Sequence, residues 1–197
     1  IPNVDIDAPR AWDIWSSGEG VVVGVIDTGI DYTHPDLAGA VWTNPDEIPG
    51  NNKDDDGNGY IDDIHGWDFA NGDNDPKDDH GHGSHCSGII AGTANNGIGI
   101  AGIAWGAKVA GLKFLSADGS GYTADAVEAT NYANAMGFAI TSNSWGGFGY
   151  SQALRDAIDD ADSLGYLYIA AAGNSYISLD RFIQYPAGYG CANIISV

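Results

Sequence analysis

The hydrophobic pattern of the chain alternates between short apolar runs and longer segments with helical spacing. The run at 21–26 is rich in valine, and uninterrupted β-branched residues are typical of a strand buried on both faces. Further strands are expected at 109–115, 138–144 and 166–172, and helices from near His82 and at 123–136 and 151–164. This alternation predicts a doubly wound α/β fold with a mainly parallel sheet and helices on both faces. No internal repeat or low-complexity linker interrupts it, so we expect one domain over 1–197.

A short helix is expected before the first strand, over 7–15. Asp7 stands at its N-cap position and Pro9 lies in its first turn, which are favoured places for these residue types. Glycines at 18 and 20 end this helix.

Three polar side chains stand where these elements begin or end. Asp27 and Asn174 follow buried strands, and the carboxyl ends of parallel strands are where open α/β sheets place their sites. His82 lies in the first turn of a helix, where an imidazole can act as a general base if a carboxylate orients it. An amide such as that of Asn174 can donate a hydrogen bond to an oxyanion. Each residue also has a simpler interpretation, as part of a turn or a solvated loop.

Two other sites can be built from the same residues. The tripeptide Asp-Thr-Gly at 27–29 also occurs in aspartic proteases, but these have β-rich surroundings and a second such tripeptide, and the chain has neither. A metal site could use one acidic side chain and three histidines: Asp79, His80, His82 and His85. His82 and His85 share a helix face, but no Glu stands between them as in the helical zinc-protease motif. We therefore favour the general-base interpretation of His82.

In their order along the chain, these segments resemble the subtilisin-like serine proteases, the subtilases. The active-site segments are Val-Ile-Asp-Thr-Gly at 25–29, Gly-His-Gly-Ser-His at 81–85 and Ala-Ala-Ala-Gly-Asn at 170–174. Three others match between them: His-Pro-Asp-Leu at 34–37, Asp-Gly-Ser-Gly at 118–121 and Asn-Ser-Trp-Gly-Gly at 143–147. The resemblance covers nearly the whole chain. It implies a serine endopeptidase that hydrolyses peptide bonds by a Ser-His-Asp mechanism, in which Asp27 orients His82 and Asn174 stabilises the oxyanion.

The resemblance also implies where a substrate binds. Two segments would offer backbone groups to an extended protein or peptide substrate, as in strand addition. Glycines suit this role because the substrate chain must approach closely. The implied residues are Gly119, Ser120, Gly121, Ser144, Trp145 and Gly146.

The family's nucleophile segment, Gly-Thr-Ser-Met-Ala, is absent from the 197 residues. The last residues, 194–197, are expected to form the strand that precedes this segment in the family. The resemblance is thus to a subtilase domain that is incomplete at its C-terminus, and we expect the isolated chain to be inactive. The alternatives are a non-catalytic calcium-binding pseudoprotease, or one chain of a nicked two-chain enzyme. Possible partners are a pro-segment inhibitor and a C-terminal chain that bears the serine.

The net charge of the chain argues against two classes of binding partner. A formal net charge of −20, from 27 acidic and 7 basic residues, argues against nucleic acid and anionic membrane surfaces, which bind basic patches. No apolar run is long enough to span a bilayer. The opening residues 1–5 have neither a basic start nor an apolar core, so no signal peptide is evident. Such an opening fits a mature extracellular or secretory-pathway enzyme, or a trimmed chain.

The stretch 51–63 is the most acidic part of the chain and predicts a calcium site. From Asp54 onwards, oxygen donors fall at the odd positions of an EF-hand loop: Asp54, Asp56, Asn58, the carbonyl of Tyr60, and Asp62. Gly59 stands at the sharp turn. His65 replaces the expected bidentate Glu, so another carboxylate such as Asp63 must complete the ligand shell. The alternative is a disordered acidic loop.

A second calcium site is implied by the resemblance alone. In the family, the loop after the histidine helix holds calcium through alternating carbonyls and an Asn side chain, together with one carboxylate. The matching residues here are Asp36, Ala94, Asn96, Ile98 and Ile100.

The two cysteines are expected to lie in different surroundings. Cys86 follows His85 among small residues and is expected to be a buried free thiol. Cys191 is expected in a loop. The spacing does not decide between free thiols and a disulfide between the two.

Overall fold

A six-stranded parallel sheet organises the molecule. The computed structural model describes residues 6–15, 17–176, 178 and 181–197, and the opening segment 1–5 lies outside them. The strands are β1 Val22–Asp27, β2 Gly66–Asp68, β3 Lys108–Lys113, β4 Ile140–Asn143, β5 Leu167–Ala170 and β6 Ile194–Ser196. The helices are α1 Ala8–Trp12, α2 His82–Ala91, α3 Thr123–Ala135 and α4 Gln152–Ser163. The predicted doubly wound α/β fold is confirmed.

The strand order is β2-β3-β1-β4-β5-β6, so β1 lies inside the sheet between β3 and β4. From β1 the chain builds one side of the sheet through β2 and β3, and then the other side through β4 to β6. The reversal of order at β1 leaves a crevice at the carboxyl ends of the strands, where open α/β sheets bind ligands. Asp27 is the last residue of β1 and thus lies at this crevice.

Side chains that alternate along β1 give the sheet two buried faces. Ile26 packs in one hydrophobic cluster with Tyr132 of α3. Val23 and Val25 pack in a different cluster with Ala91 of α2. Because neighbouring side chains in a strand point to opposite faces, α2 and α3 cover opposite sides of the sheet. Full burial of each such aliphatic side chain contributes roughly 1.5–3 kcal/mol.

Helix α1 is shorter than predicted and ends at Trp12. Asp7 does occupy its N-cap position, but its backbone is left-handed, with φ at 55°, and its side chain makes no capping hydrogen bond. Its carboxylate pairs with Arg10 at 2.6 Å. Within the described ranges, no helix combines the length and apolar character needed to cross a bilayer.

Candidate active site

The carboxylate of Asp27 and the ring of His82 are in direct contact. Asp27 is fully buried at the end of β1, and its Oδ1 lies 2.7 Å from His82 Nδ1. The same oxygen accepts a hydrogen bond from the backbone N–H of Thr28 at 2.7 Å. A carboxylate only accepts hydrogen bonds, so Nδ1 carries the ring proton and Nε2 is left as a base. The side chain of His82 is 42% exposed, which leaves it accessible to a substrate.

Helix α2 can dock against β1 because its second residue is glycine. A Cβ on Gly83 would lie 2.2 Å from the carbonyl oxygen of Gly29, a separation that real Cβ atoms do not adopt. The N–H of Gly83 donates to the hydroxyl of Thr28 at 2.9 Å. Thr28 and Gly29, which follow β1, therefore contact the first turn of the helix that carries His82.

The predicted substrate segments line one cleft beside His82. A pocket of about 310 Å³ is lined by Gly119, Ser120 and Gly121 on one side and by Trp145 and Gly146 on the other. A neighbouring pocket of about 350 Å³ is bounded by residues of both segments and by residues near the Asp27–His82 contact: Thr28, His80, His82, Leu115, Asp118, Gly119, Ser144, Trp145 and Gly146. The fold thus brings the six predicted residues to the crevice that holds His82.

Asn174 follows β5 on the same side of the sheet. Gly173, with φ at 95°, turns the chain after the strand, and Asn174 is exposed. Because β5 pairs with β4, and β4 with β1, Asn174 leaves the sheet at the edge where Asp27 lies. Its role as an oxyanion donor remains a prediction.

The four donors of the alternative metal site do not converge. Asp79 pairs with Lys113, and His82 pairs with Asp27. His85 lines a different pocket from that of His80 and His82. This arrangement favours the general-base interpretation of His82.

Both cysteines are free thiols. The sulfur of Cys86 lies 4.0 Å from His82 Nδ1, and burial raises the pKa of this thiol. Burial also raises the pKa of Cys191 to about 11. Cys86 is only half-buried, whereas Cys191 is buried.

Three carboxylates converge at the acidic stretch: those of Glu47, Asp54 and Asp56 each place an oxygen within 4.8 Å of the others. Glu47 is buried, and its Oε1 accepts hydrogen bonds from the N–H groups of Asp55 and Asp56. Carboxylates this close repel one another without a cation, and an oxygen-only donor set suits calcium. Glu47 precedes the acidic stretch, so the loop spacing did not point to it.

The loop backbone folds around Asp54. Its carboxylate accepts hydrogen bonds from the N–H groups of 57–59, at distances of 2.6, 3.1 and 2.9 Å. The bond from Gly59 is the main reason why the pKa of Asp54 is lowered. The amide of Asn58 donates to Asp56 and to Asp63, which connects the predicted ligands to each other.

Asp62 lies differently from the EF-hand expectation. Its carboxylate accepts hydrogen bonds from the N–H groups of 50–52, so the structure places it outside the carboxylate cluster. Asp63 is fully buried; burial raises its pKa, and Tyr132 donates a hydrogen bond to it. The ring of Tyr60 packs against Tyr132, with ring centres 5.0 Å apart, which fastens the loop to the core. The part of the Tyr60 carbonyl as a ligand remains a prediction.

The second predicted calcium loop wraps around Asp36. The Asp36 carboxylate is buried and accepts hydrogen bonds from Asn96 Nδ2 at 2.7 Å and from the N–H of Ile100 at 2.9 Å. The bond from Ile100 is the largest cause of the lowered pKa of Asp36. The N–H of Ile98 donates to the side-chain oxygen of Asn96. These four residues lie together, whereas the parts of the Ala94, Ile98 and Ile100 carbonyls as ligands remain predictions.

Comparison with known proteins points to one family. The model of the Subtilase family matches residues 18–197. Thermitase from Thermoactinomyces vulgaris is 35% identical over 192 residues, which cover 98% of this chain and 59% of that protein. The thermophilic serine proteinase of Bacillus sp. (strain AK1) is 36% identical over 95% of this chain and 40% of its own length. Subtilisin-like protease 1 of Plasmodium berghei (strain Anka) is 38% identical over 81% of this chain and 27% of its own length. The chain thus spans less than two thirds of these relatives.

Proposed function

Because the chain belongs to the subtilase family, we propose that it is the Asp- and His-bearing part of a serine endopeptidase that acts on proteins or peptides. The observation that carries this proposal is the 2.7 Å contact between Asp27 and His82 beside an open cleft. This contact supplies the oriented general base that nucleophilic catalysis by serine requires.

In the proposed mechanism, His82 Nε2 takes the proton from the attacking serine and later gives it to the leaving amine. Asp27 holds the ring in the tautomer with a proton on Nδ1 and stabilises the imidazolium that forms. The amide of Asn174 donates to the oxyanion. The 197 residues contain no Gly-Thr-Ser segment, so the proposed mechanism takes its nucleophilic serine from outside them.

The substrate binds as an extended strand between 119–121 and 144–146. Both segments leave parallel strands at the carboxyl edge and face the same cleft as His82. Backbone groups there pair with the substrate backbone, and the glycines permit its close approach. A pro-segment bound in the same cleft would act as an inhibitor.

Calcium is the proposed cofactor, and two groups of residues would hold it. The first comprises Asp54, Asp56 and Glu47, with Asn58 and the Tyr60 carbonyl; the second comprises Asp36, Asn96 and the carbonyls of Ala94, Ile98 and Ile100. Bound calcium would neutralise carboxylates that otherwise repel one another, and so stabilise the loops. With the excess of acidic residues, this fits an extracellular or secretory-pathway enzyme.

The test of the proposed function uses the full-length enzyme and a chromogenic peptide. We expect His82→Ala or Asp27→Asn to lower kcat by roughly 10⁴-fold, and Asn174→Ala by about 10²–10³-fold. The control is His85→Ala, which leaves the pair intact. A greater loss for His85→Ala than for His82→Ala would refute the assignment of the base. The 197-residue chain alone is expected not to react with a fluorophosphonate probe.

A further inference from the structure

The carboxylate of Asp78 accepts hydrogen bonds from residues at the start of α2. Its Oδ1 accepts hydrogen bonds from the N–H groups of His80 at 2.9 Å and Gly81 at 2.8 Å. Its Oδ2 accepts from the N–H of Ser84 at 2.9 Å and from the Ser84 hydroxyl at 2.6 Å. The first N–H groups of a helix have no partner inside the helix, so an acceptor must come from elsewhere. Asp78 provides one, with donors on both sides of His82 in the chain.

A second chain of hydrogen bonds connects Asp78 to the catalytic carboxylate. The hydroxyl of Thr28 donates to Asp78 Oδ1 at 2.9 Å and accepts from the N–H of Gly83, also at 2.9 Å. The backbone N–H of Thr28 donates to Asp27 Oδ1, the oxygen that contacts His82 Nδ1. Thr28 therefore joins the end of β1, the first turn of α2 and Asp78 in one network.

The charge state of Asp78 supports this arrangement. Burial raises its pKa, but hydrogen bonds from Ser84, Gly81 and His80 outweigh the burial, and the pKa is lowered overall. At neutral pH the side chain is therefore an ionised carboxylate, which only accepts hydrogen bonds. Hydrogen bonds to a charged acceptor are stronger than those between neutral groups. The neighbouring Asp79 points elsewhere, to Lys113.

We propose that Asp78 is a positioning residue for the catalytic pair: through Thr28 and the first turn of α2, it sets the direction in which the His82 ring meets Asp27. This inference rests on the proposed function. A misplacement of about 1 Å far from the reacting atoms can lower a rate about 10²-fold, because proton transfer needs close alignment. The loss of Asp78 would thus act on turnover more than on substrate binding.

The experiment uses the full-length enzyme with its serine-bearing segment. Asp78→Asn keeps the volume of the side chain but removes its charge and one acceptor oxygen. We expect kcat to fall about 10²-fold while KM changes by less than about threefold. The proton on His82 Nδ1, observed by NMR, is expected to shift or to exchange faster. Asp75→Asn is the matched control, since Asp75 is an exposed carboxylate of the same loop that binds the Tyr32 hydroxyl; its kcat should stay within about twofold.

A double variant separates positioning from a general structural role. If Asp78 acts through His82, Asp78→Asn causes no further loss in a His82→Ala background. The inference is overturned if the loss is the same in both backgrounds, or if folded Asp78→Asn has the kcat of the wild type. Should Asp78→Asn fail to fold, Ser84→Ala removes one donor to Asp78 together with the acceptor of the Asp31 N–H, and an unchanged kcat there would overturn the inference. If His82→Ala retains full activity, the proposed function itself fails, whatever Asp78 does.

Discussion

Lys113 is 1% exposed, and its ammonium group forms a 2.7 Å ion pair with the half-exposed carboxylate of Asp79. The same group donates to the backbone carbonyls of Thr28 at 2.9 Å and Leu115 at 2.7 Å. One buried cation therefore connects the end of β1, the end of β3 and the segment before α2. These are the three pieces of chain that surround the Asp27–His82 pair.

This relationship predicts a measurable coupling. Removal of the carboxylate by Asp79→Ala leaves a buried charge with carbonyl partners only, so the free energy of unfolding should fall by about 1–3 kcal/mol. In a Lys113→Met background the same change should cost much less. Urea unfolding of the four proteins measures this, and Asp159→Ala is the control, since its pair with Arg155 is exposed. Equal costs in both backgrounds would contradict the coupling.

Substitution by alanine is expected to change the melting temperature in opposite directions at Gly83 and Gly88, two glycines of α2. Alanine favours a helix over glycine by about 1 kcal/mol in either place. At Gly83 the added Cβ would lie 2.2 Å from the Gly29 carbonyl oxygen, whereas at Gly88 its nearest neighbour is a methyl group of Ile100 at 3.7 Å. We expect Gly83→Ala to lower the melting temperature and the activity, and Gly88→Ala to maintain or raise the melting temperature. Thermal unfolding of both variants decides this, and a stable Gly83→Ala would show that α2 can move away from β1.

Calcium removal should destabilise the protein. A ligand that binds only the folded state stabilises it by about 2.7 kcal/mol at a hundredfold excess over Kd. We therefore expect EDTA to lower the melting temperature and to speed proteolysis within 51–63. Glu47→Gln should remove part of this dependence, and the loop around Asp36 should preserve the rest. Asp62→Asn is the comparison, since its carboxylate binds the backbone of 50–52. A melting temperature unmoved by EDTA would refute both sites.

Asp68 and Asp78 should contribute to the pH dependence of stability with opposite signs. Burial raises the pKa of Asp68, so its contribution is present below its unfolded pKa and is lost as the pH rises through its folded pKa. Asp78 has a lowered pKa, so its contribution is present above its unfolded pKa and is lost as the pH falls through its folded pKa. Relative to the wild type, Asp68→Asn should gain stability with rising pH, and Asp78→Asn should lose it. Urea unfolding between about pH 3 and 7 tests the signs, and parallel curves would contradict them.

Asp27 and His82 could be predicted from the sequence because each depends on a local pattern. A buried valine-rich strand places Asp27 at its end, and a small-residue helix begins at His82. The sequence alone does not predict a role for Asp78, since that role needs the hydroxyl of Thr28, which is distant in sequence and becomes a neighbour only after folding. The spacing before α2 offers a weak signal, because an acidic residue just ahead of a helix can accept from its free N–H groups.

The acidic loop makes contacts that its spacing does not predict. The EF-hand pattern places Asp62 among the ligands, and that pattern assumes a loop held between two helices. Here residues 50–52 fold over the loop, and their N–H groups donate hydrogen bonds to the Asp62 carboxylate. Asp62 itself adopts a left-handed φ of 53°. Glu47, from outside the pattern, joins Asp54 and Asp56. The partners of these carboxylates follow from the path of the chain before the loop, which the spacing does not contain.

The position of β1 inside the sheet has a consequence for how the chain folds. Both neighbours of β1 come much later in the sequence, because Asp27 pairs with Lys113 of β3, and Val25 with Ser142 of β4. Until β3 and β4 pair with it, β1 has two unpaired edges and an apolar surface on each face. Closing loops of this length costs conformational entropy before the strand pairing contributes any favourable free energy. Sheets with such long-range pairing therefore fold slowly. The rate at which Asp27 becomes buried is therefore governed by long-range strand pairing, and rapid formation of α2 would not speed it.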